Sequence, residues 1–268
     1  MVSFRSASAD AMAALTDKVG GVAEASAATV GSDLFAVAAT LRSEGSLRRF
    51  LTDQSVDTAA QRGLAEQLFT KKIDATSLPI VVDAAGRRWT KVRDLADALE
   101  ELGVIAVASS VGLAASTLID ELFSVRQLIN ENSELRNALS DPTRSQADRA
   151  GLVESLLSGK VLPATIALVR QSLSGSYRTV TMALESYEET VARVQGEGVA
   201  TVRVARSLSE ADQQRLAEAL ARQYGRPVHL NIVVDPEVIG GIRVEIGHDV
   251  IDGTVAARLD DARRKIAG

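Results

Sequence analysis

The sequence predicts a mainly α protein: two homologous helical bundles, then a small α+β domain of order β-α-β-β-α. Three observations predict it. Apolar residues recur at helical spacing through residues 8–107. A stretch of that region then repeats without a gap, 88 residues further on. After Gly196-Glu197-Gly198 the period changes to two, the alternation of a strand with one buried face. The expected domains are residues 1–107 and 108–195 for the two helical copies, and 196–268 for the α+β part. Composition agrees: hydrophobic residues make up 46% and aromatics only 3%, which favours helices packed closely through small side chains.

In the first copy, Met12, Leu15 and Val19 mark an amphipathic helix ending at Gly20-Gly21. Leu34, Val37, Ala38 and Leu41 mark a second, stopped by Gly45, with Ser46 available to cap the next. Asp57 opens a helix carrying Leu64, Leu68 and Phe69. Another begins at Ile80-Val81 after Pro79, since proline is tolerated in a first turn. Val92, Leu95, Leu99 and Leu102 close the bundle.

The second copy is read by aligning Asp33–Phe69 with Glu121–Leu157, which gives 12 identities in 37 positions. Leu34-Phe35 meets Leu122-Phe123, Leu47-Arg48 meets Leu135-Arg136, and Asp53 meets Asp141. Gly63-Leu64 meets Gly151-Leu152, and Glu66 meets Glu154. Small and charged positions repeat along with apolar ones, so chance pairing of two alanine-rich helices does not account for the match. Leu78-Pro79 recurs as Leu162-Pro163 with a shift of four, and Trp89 falls opposite Tyr177.

The last domain opens with a strand over Val199 to Ala205. Ser209 and Asp212 are spaced as a capping box, with Leu208 as a staple residue. Leu216, Leu220 and Tyr224 share one helical face, and Gly225 ends that helix. Val228, Leu230, Ile232 and Val234 then alternate with polar or outward positions until Asp235-Pro236 stops the strand. Gly240-Gly241 bends the backbone without a Cβ penalty, and Ile242, Val244 and Ile246 alternate again. Locally this reads as a β-hairpin with a bulged entry. Asp252-Gly253-Thr254 turns the chain into a final amphipathic helix, Val255 to Ile266, with Arg263, Arg264 and Lys265 at its C-terminal end.

Sites of chemistry are sparse. Net charge is −5 with no basic block, so a nucleic-acid surface is not expected. There is no cysteine, which excludes disulfides and thiolate sites and suits a reducing cytoplasm. Ser158-Gly159-Lys160-Val161 has the Gly-Lys of a nucleotide-binding loop but neither its earlier glycine nor its hydroxyl residue. His229 and His248 are the only histidines, and no carboxylate spacing around them builds a metal site. His229 reads as an outward-facing strand residue. Asp249 and Asp252 can be imagined as an acid/base pair, but turn and cap roles suit aspartate there. Arg48-Arg49, Lys71-Lys72 and Arg87-Arg88 read as solvated helix ends. No catalytic, cofactor-binding or metal-binding residue is assigned. The start lacks the basic-then-apolar layout of a secretory signal, and the run Val104 to Ala115 is too short to span a bilayer.

The stretch Tyr224 to Gly247 carries a resemblance. Val228, Leu230, Val234, Asp235, Val238, Gly240, Gly241, Ile242, Val244, Glu245 and Gly247 fill a pattern that resembles the signature of the delta subunit of F-type ATP synthase. That subunit is the bacterial relative of the oligomycin-sensitivity-conferring protein. The duplicated helical region resembles the actinobacterial branch, whose delta subunits carry an extra helical copy. The resemblance implies a peripheral-stalk (stator) subunit with no activity, metal or cofactor of its own. It implies that a helical bundle holds N-terminal helices of the alpha subunits of the catalytic head. It implies that the C-terminal domain binds the b subunits of the stalk, at the cytoplasmic face of the plasma membrane and without inserting into it. The signature residues are then fold-determining and interface positions, with Gly240 and Gly241 the places where a side chain would not fit. Which helical copy meets the head stays open. Two other readings remain at this point: a helical adaptor unrelated to ATP synthase, and an enzyme working through Asp249 or Asp252.

Overall fold

A computed structural model describes residues 4–141, 143–247 and 249–255. His248 and the expected final helix beyond Val255 lie outside the described residues. The chain divides into two compact units, Met1–Val194 and Gln195–Gly268.

The first unit is helical. Its elements are α1 (Ala7–Gly20), α2 (Glu24–Ser43), α3 (Gly45–Thr52), α4 (Thr58–Phe69), α5 (Leu78–Ala85) and α6 (Asp94–Ser109). A 3-10 turn at Gly112–Ala114 leads into α7 (Ala115–Glu131), α8 (Ser133–Ser140), α9 (Gln146–Leu157), α10 (Pro163–Ser172) and α11 (Val180–Val194). Proline opens both α5 and α10, where its missing N–H has no helical partner to lose. Asn132 and Ser145 cap α8 and α9 through Leu135 N and Asp148 N, each at 3.0 Å. Ser46 does not cap α3. The cap is Glu44, because Gly45 is already helical, and Ser46 sits inside the first turn.

The repeat is visible in the geometry. α3 and α8 begin and end 88 residues apart, as do α4 and α9. Asp33 on α2 accepts from Asp74 N at 2.9 Å and Ser77 Oγ at 2.6 Å, tying α2 to the start of α5. Glu121, 88 residues on, accepts from Leu162 N at 2.8 Å and from Thr165 Oγ1, tying α7 to the start of α10. Asp53 closes a turn on Ser55 N at 2.9 Å, and Asp141 closes the same turn on Thr143 N at 2.9 Å. Arg48 donates to Arg42 O at 3.1 Å and Arg136 to Asn130 O at 2.8 Å, again at one offset.

Helix α6 is buried from Asp94 through Ala108 on every side. It packs on α1, α2, α3 and α5 and also on α7, α10 and α11. It therefore closes the first bundle and opens the second, spanning the 107/108 boundary expected from sequence. Its crossing with α2 is close because both helices carry glycine there. A Cβ on Gly103 would meet the Phe35 ring at 2.5 Å, and one on Gly31 would meet Val107 at 2.6 Å.

The second unit contains β1 (Gly198–Val204), α12 (Glu210–Tyr224), β2 (Val228–Val234), β3 (Ile242–Ile246) and β4 (Asp249–Asp252). The Ser209 cap forms: its Oγ accepts from Asp212 N at 3.2 Å and donates to Asp212 Oδ2 at 2.6 Å, and Gly225 ends α12 in the left-handed region at φ 71°. The sheet order is β2-β1-β3-β4, with β1 parallel to β2 and antiparallel to β3. The expected β-hairpin is thus corrected. β2 and β3 do not pair, because β1 lies between them and supplies the hydrogen-bonding edge to both. Register places Val202 beside Ile232 and Val244, so Ala200, Val202, Val204, Val244 and Ile246 build one buried face with Leu220 of α12. Asp249–Asp252, expected as turn residues, add a fourth, exposed edge strand beside β3.

Candidate docking surfaces

The helical unit is held by carboxylates on α6. Burying a carboxylate is tolerable only with charged or hydrogen-bonding partners around it, and each has them. Asp94 accepts from Ser8 Oγ at 2.7 Å and Lys91 N at 3.1 Å. Asp97 pairs with Arg42 of α2 at 3.2 Å. Glu100, 2% exposed, is bound by Arg42, by Ser176 Oγ at 2.6 Å and by Tyr187 Oη at 2.5 Å. Glu101 accepts from Thr190 Oγ1 at 3.0 Å and pairs with Arg193 of α11. The first repeat and the second thus grip the same helix. Burial and the neighbouring Glu100 carboxylate push the Tyr187 phenol well above its ordinary range, and burial does the same to Tyr177. Between α7 and α11, Arg126 clasps Glu188 through two bonds of 2.8 and 3.1 Å and stacks over Phe123.

Two of the concavities among the described residues lie partly against matching helices of the repeats. The first is a groove of about 530 Å³ among α2, α6, α9 and α10, lined by Phe35, Val107, Ala150, Ala164, Ala167 and Arg170 among others. The second, of about 370 Å³, lies against α1, α4 and α5 and is lined by Asp10, Arg62, Asp83, Arg87 and Arg88. Asp83 is half-buried there. Burial raises its carboxyl, but Arg87 at 3.0 Å and Lys18 at 3.6 Å outweigh that and hold it below the usual range. Among the described residues no group of three His, Cys, Asp or Glu side chains could hold a metal ion. No single described helix is long and apolar enough to cross a membrane.

The signature residues gather in the second unit. Val228, Leu230 and Val234 lie on β2; Ile242, Val244 and Glu245 lie on β3. Val228 and Val244 are buried, while Val234 is 48% exposed. Between the strands, Asp235 N donates to Val204 O at 2.8 Å and Asp235 Oδ1 accepts from Glu237 N at 2.9 Å, so the loop turns across the end of β1. Val238 N closes it on Asp235 O at 3.1 Å. Gly240 and Gly241 have φ of 66° and 86°, and a Cβ on Gly241 would overlap Gly253 O. Gly247 also has positive φ, at 57°. Glu245 pairs with Arg243 at 3.0 Å and Arg203 at 3.9 Å on one face of the sheet. Asp252 accepts from Thr254 Oγ1 at 2.7 Å and from Thr254 N at 3.0 Å, bonds that lower its carboxyl. Asp249 accepts from Tyr224 Oη at 3.3 Å. His229 is half-buried on β2.

Sequence reasoning did not find the groove residues. Phe35, Val107, Ala164, Ala167 and Arg170 sit at the same helical spacing as core positions, so periodicity carries no signal that separates the two.

Helical repeats that carry surface concavities, in one chain with a mixed-sheet unit, suit a docking protein built in two parts. The family comparison makes that specific. The sequence profile of the ATP synthase delta (OSCP) subunit matches residues 103–266. An ATP synthase subunit delta from Nocardioides sp. is 52% identical over 99% of this chain and 98% of its own. One from Kineococcus radiotolerans is 42% identical over 91% of this chain and 90% of its own. One from Streptomyces coelicolor is 38% identical over the full length of both. A chain of the Toxoplasma gondii mitochondrial ATP synthase hexamer is 20% identical, with a TM-score of 0.36 over 63% of this chain and 95% of that one, a likeness too loose to place any residue. The chain belongs to the ATP synthase delta (OSCP) subunit family.

Proposed function

We propose that this chain is the stator subunit that joins the catalytic head of an F-type ATP synthase to its peripheral stalk. The observation that carries the reading is family membership over the whole chain, at 52% identity to a named delta subunit. In this reading the helical unit, with 1–107 and 108–195 as its two copies, receives N-terminal helices of the head's alpha subunits. The unit from residue 196 onward binds the b subunits. The first contact is helix-in-groove recognition, in which an amphipathic helix lays its apolar face between bundle helices. The chain itself turns over nothing. It works at the cytoplasmic face of the plasma membrane, and its task is mechanical: to stay bound and undeformed while the rotor exerts torque. The buried carboxylates of α6 support this, because charge pairs locked on both sides of one helix resist shear better than apolar contacts that can slide. The signature residues serve as fold and interface positions rather than as chemistry.

Affinity purification of the tagged full-length chain from its native membranes tests the proposal. The expected result is co-purification of alpha and b subunits in an ATPase-active complex, with no ATP hydrolysis by the chain alone. Recovery of the chain without either subunit would sink it.

A further inference from the structure

We propose that the first repeat binds a phosphate-type oxyanion in the concavity among α1, α4 and the turn after α5, held by Arg62, Arg87 and Arg88. The ligand class is a small tetrahedral dianion, either free or carried at the end of a larger molecule.

Positive charge exceeds negative charge there. Arg87 stands 3.0 Å from Asp83, Arg62 3.5 Å and Lys18 3.6 Å, so three cations converge on one carboxylate. Arg88 adds a fourth at the rim, exposed and without an ion pair among the described residues. Asp10 is the other acid of the lining. Four cations against two carboxylates leave a surplus of two positive charges, which one dianion matches. Arg87, expected as part of a solvated helix end, is instead half-buried, and its Nε is buried with no hydrogen-bond partner among the described residues. Buried donors are normally satisfied, and arginine donors fit phosphate oxygens in pairs.

The walls suit the same ligand. Gly86 lets the Arg62 stem lie across the turn, since a Cβ there would meet Arg62 Nε at 2.1 Å. Ala7, the first residue of α1, also lines the space, and Ser6 gives that helix no side-chain cap. The partial positive charge of a helix start therefore adds to that of the arginines. No aromatic ring is among the lining residues, so the place offers a nucleotide base nothing to stack on.

The duplication shows that the helical fold does not require this cluster. The counterparts of Arg62, Asp83, Arg87 and Arg88, 88 residues on, are Ala150, Gln171, Gly175 and Ser176, all uncharged. The second repeat forms its helices without them. Arginines gathered this closely repel one another, and a bound anion removes that repulsion.

The test is titration of the full-length chain with sodium phosphate at constant ionic strength, read by calorimetry and by the urea midpoint, with chloride as reference. Arg62→Ala and Arg88→Ser install the residues of the second repeat, and Lys71→Ala removes an exposed cation elsewhere. Circular dichroism checks folding; Arg88 is exposed, so its variant stays informative should Arg62→Ala misfold. The expected result is saturable phosphate binding that raises the midpoint of the wild-type chain. Affinity should fall about tenfold in Arg88→Ser, vanish in the double variant and stay unchanged in Lys71→Ala. Adenosine monophosphate separates the two sources: binding no tighter than phosphate identifies the free anion, and tighter binding, lost in the double variant, identifies a carried one. A response no greater than that to chloride would overturn the proposal, as would a phosphate response undiminished in the double variant. Neither result touches the stator reading, which co-purification tests separately.

Discussion

The same substitution, glycine to alanine, should change sign across the helical unit. In a helix interior alanine is favoured over glycine by about 1 kcal/mol, because glycine loses more backbone entropy on folding. Gly63 on α4 and Gly151 on α9 are exposed, and a Cβ on either meets nothing within 4 Å. Each alanine variant should therefore gain about 0.5–1 kcal/mol. Gly103 differs. Its Cβ would stand 2.5 Å from the Phe35 ring and 3.2 Å from Gly31 O, where carbon contacts settle near 3.5–4.0 Å, an approximate range. Relief requires α2 and α6 to part or Phe35 to swing, and such overpacking costs about 1–3 kcal/mol. After the propensity gain, Gly103→Ala should lose about 1–2 kcal/mol. Gly31→Ala should behave alike, because Gly103 O stands 3.0 Å from its Cβ and backbone cannot rotate away. Urea unfolding of all four variants, followed by helical circular dichroism, reads the midpoints. A Gly103→Ala midpoint at or above wild type would refute the close crossing. A large loss in Gly63→Ala would refute the reasoning from open space.

Three further outcomes are expected. Glu100→Gln takes from Arg42 one of its two buried carboxylates, leaving Asp97, and should cost about 3 kcal/mol, whereas Tyr187→Phe removes one hydroxyl bond and should cost about 1–2 kcal/mol; equal urea midpoints for the two would contradict the network. The folded chain holds the Tyr177 and Tyr187 phenols above an ordinary value of about 10. That stability is fully present below pH about 10 and is lost as pH rises through the folded values. Phenolate absorbance from these two residues should thus appear together with loss of helix, and its appearance in the intact fold would count against their burial. Gly241→Ala, at φ 86° and against Gly253 O, should destabilise the sheet by about 2 kcal/mol or more, seen as faster amide exchange in β1 and β3; unchanged protection would refute that.

Much of the fold was legible because local chemistry fixed it. The cap at Ser209 and the glycine end at Gly225 bound α12 correctly, and Pro79 and Pro163 stand at helix starts. The offset of 88 residues surfaced because acids that fasten helices, such as Asp33 and Glu121, repeat along with the core. Strand partners were not legible. Alternation along β2 and β3 states which face is buried but not which edge is paired, so adjacency in sequence read as a hairpin while β1 took the place between. β4 was missed since Asp249 to Asp252 is short and carries aspartates at both ends. Helix α6 was legible only through its apolar stripe. The burial of Asp94, Asp97, Glu100 and Glu101 depends on partners mostly distant in sequence, such as Ser8, Arg42, Tyr187 and Arg193. The docking groove stayed hidden for a related reason, its alanines being indistinguishable from core alanines.

That α6 belongs to both repeats bears on how the chain is made. During synthesis the first bundle cannot close until Asp94–Ser109 has left the ribosome, since α6 supplies its central wall. Once closed, it presents the outer side of that wall, with Glu100 and Glu101 already in place, to the helices still emerging. The second bundle then grows on a finished template instead of nucleating alone, which spares it the cost of starting a new core. A cut within α6 should accordingly leave two fragments that each lack a wall.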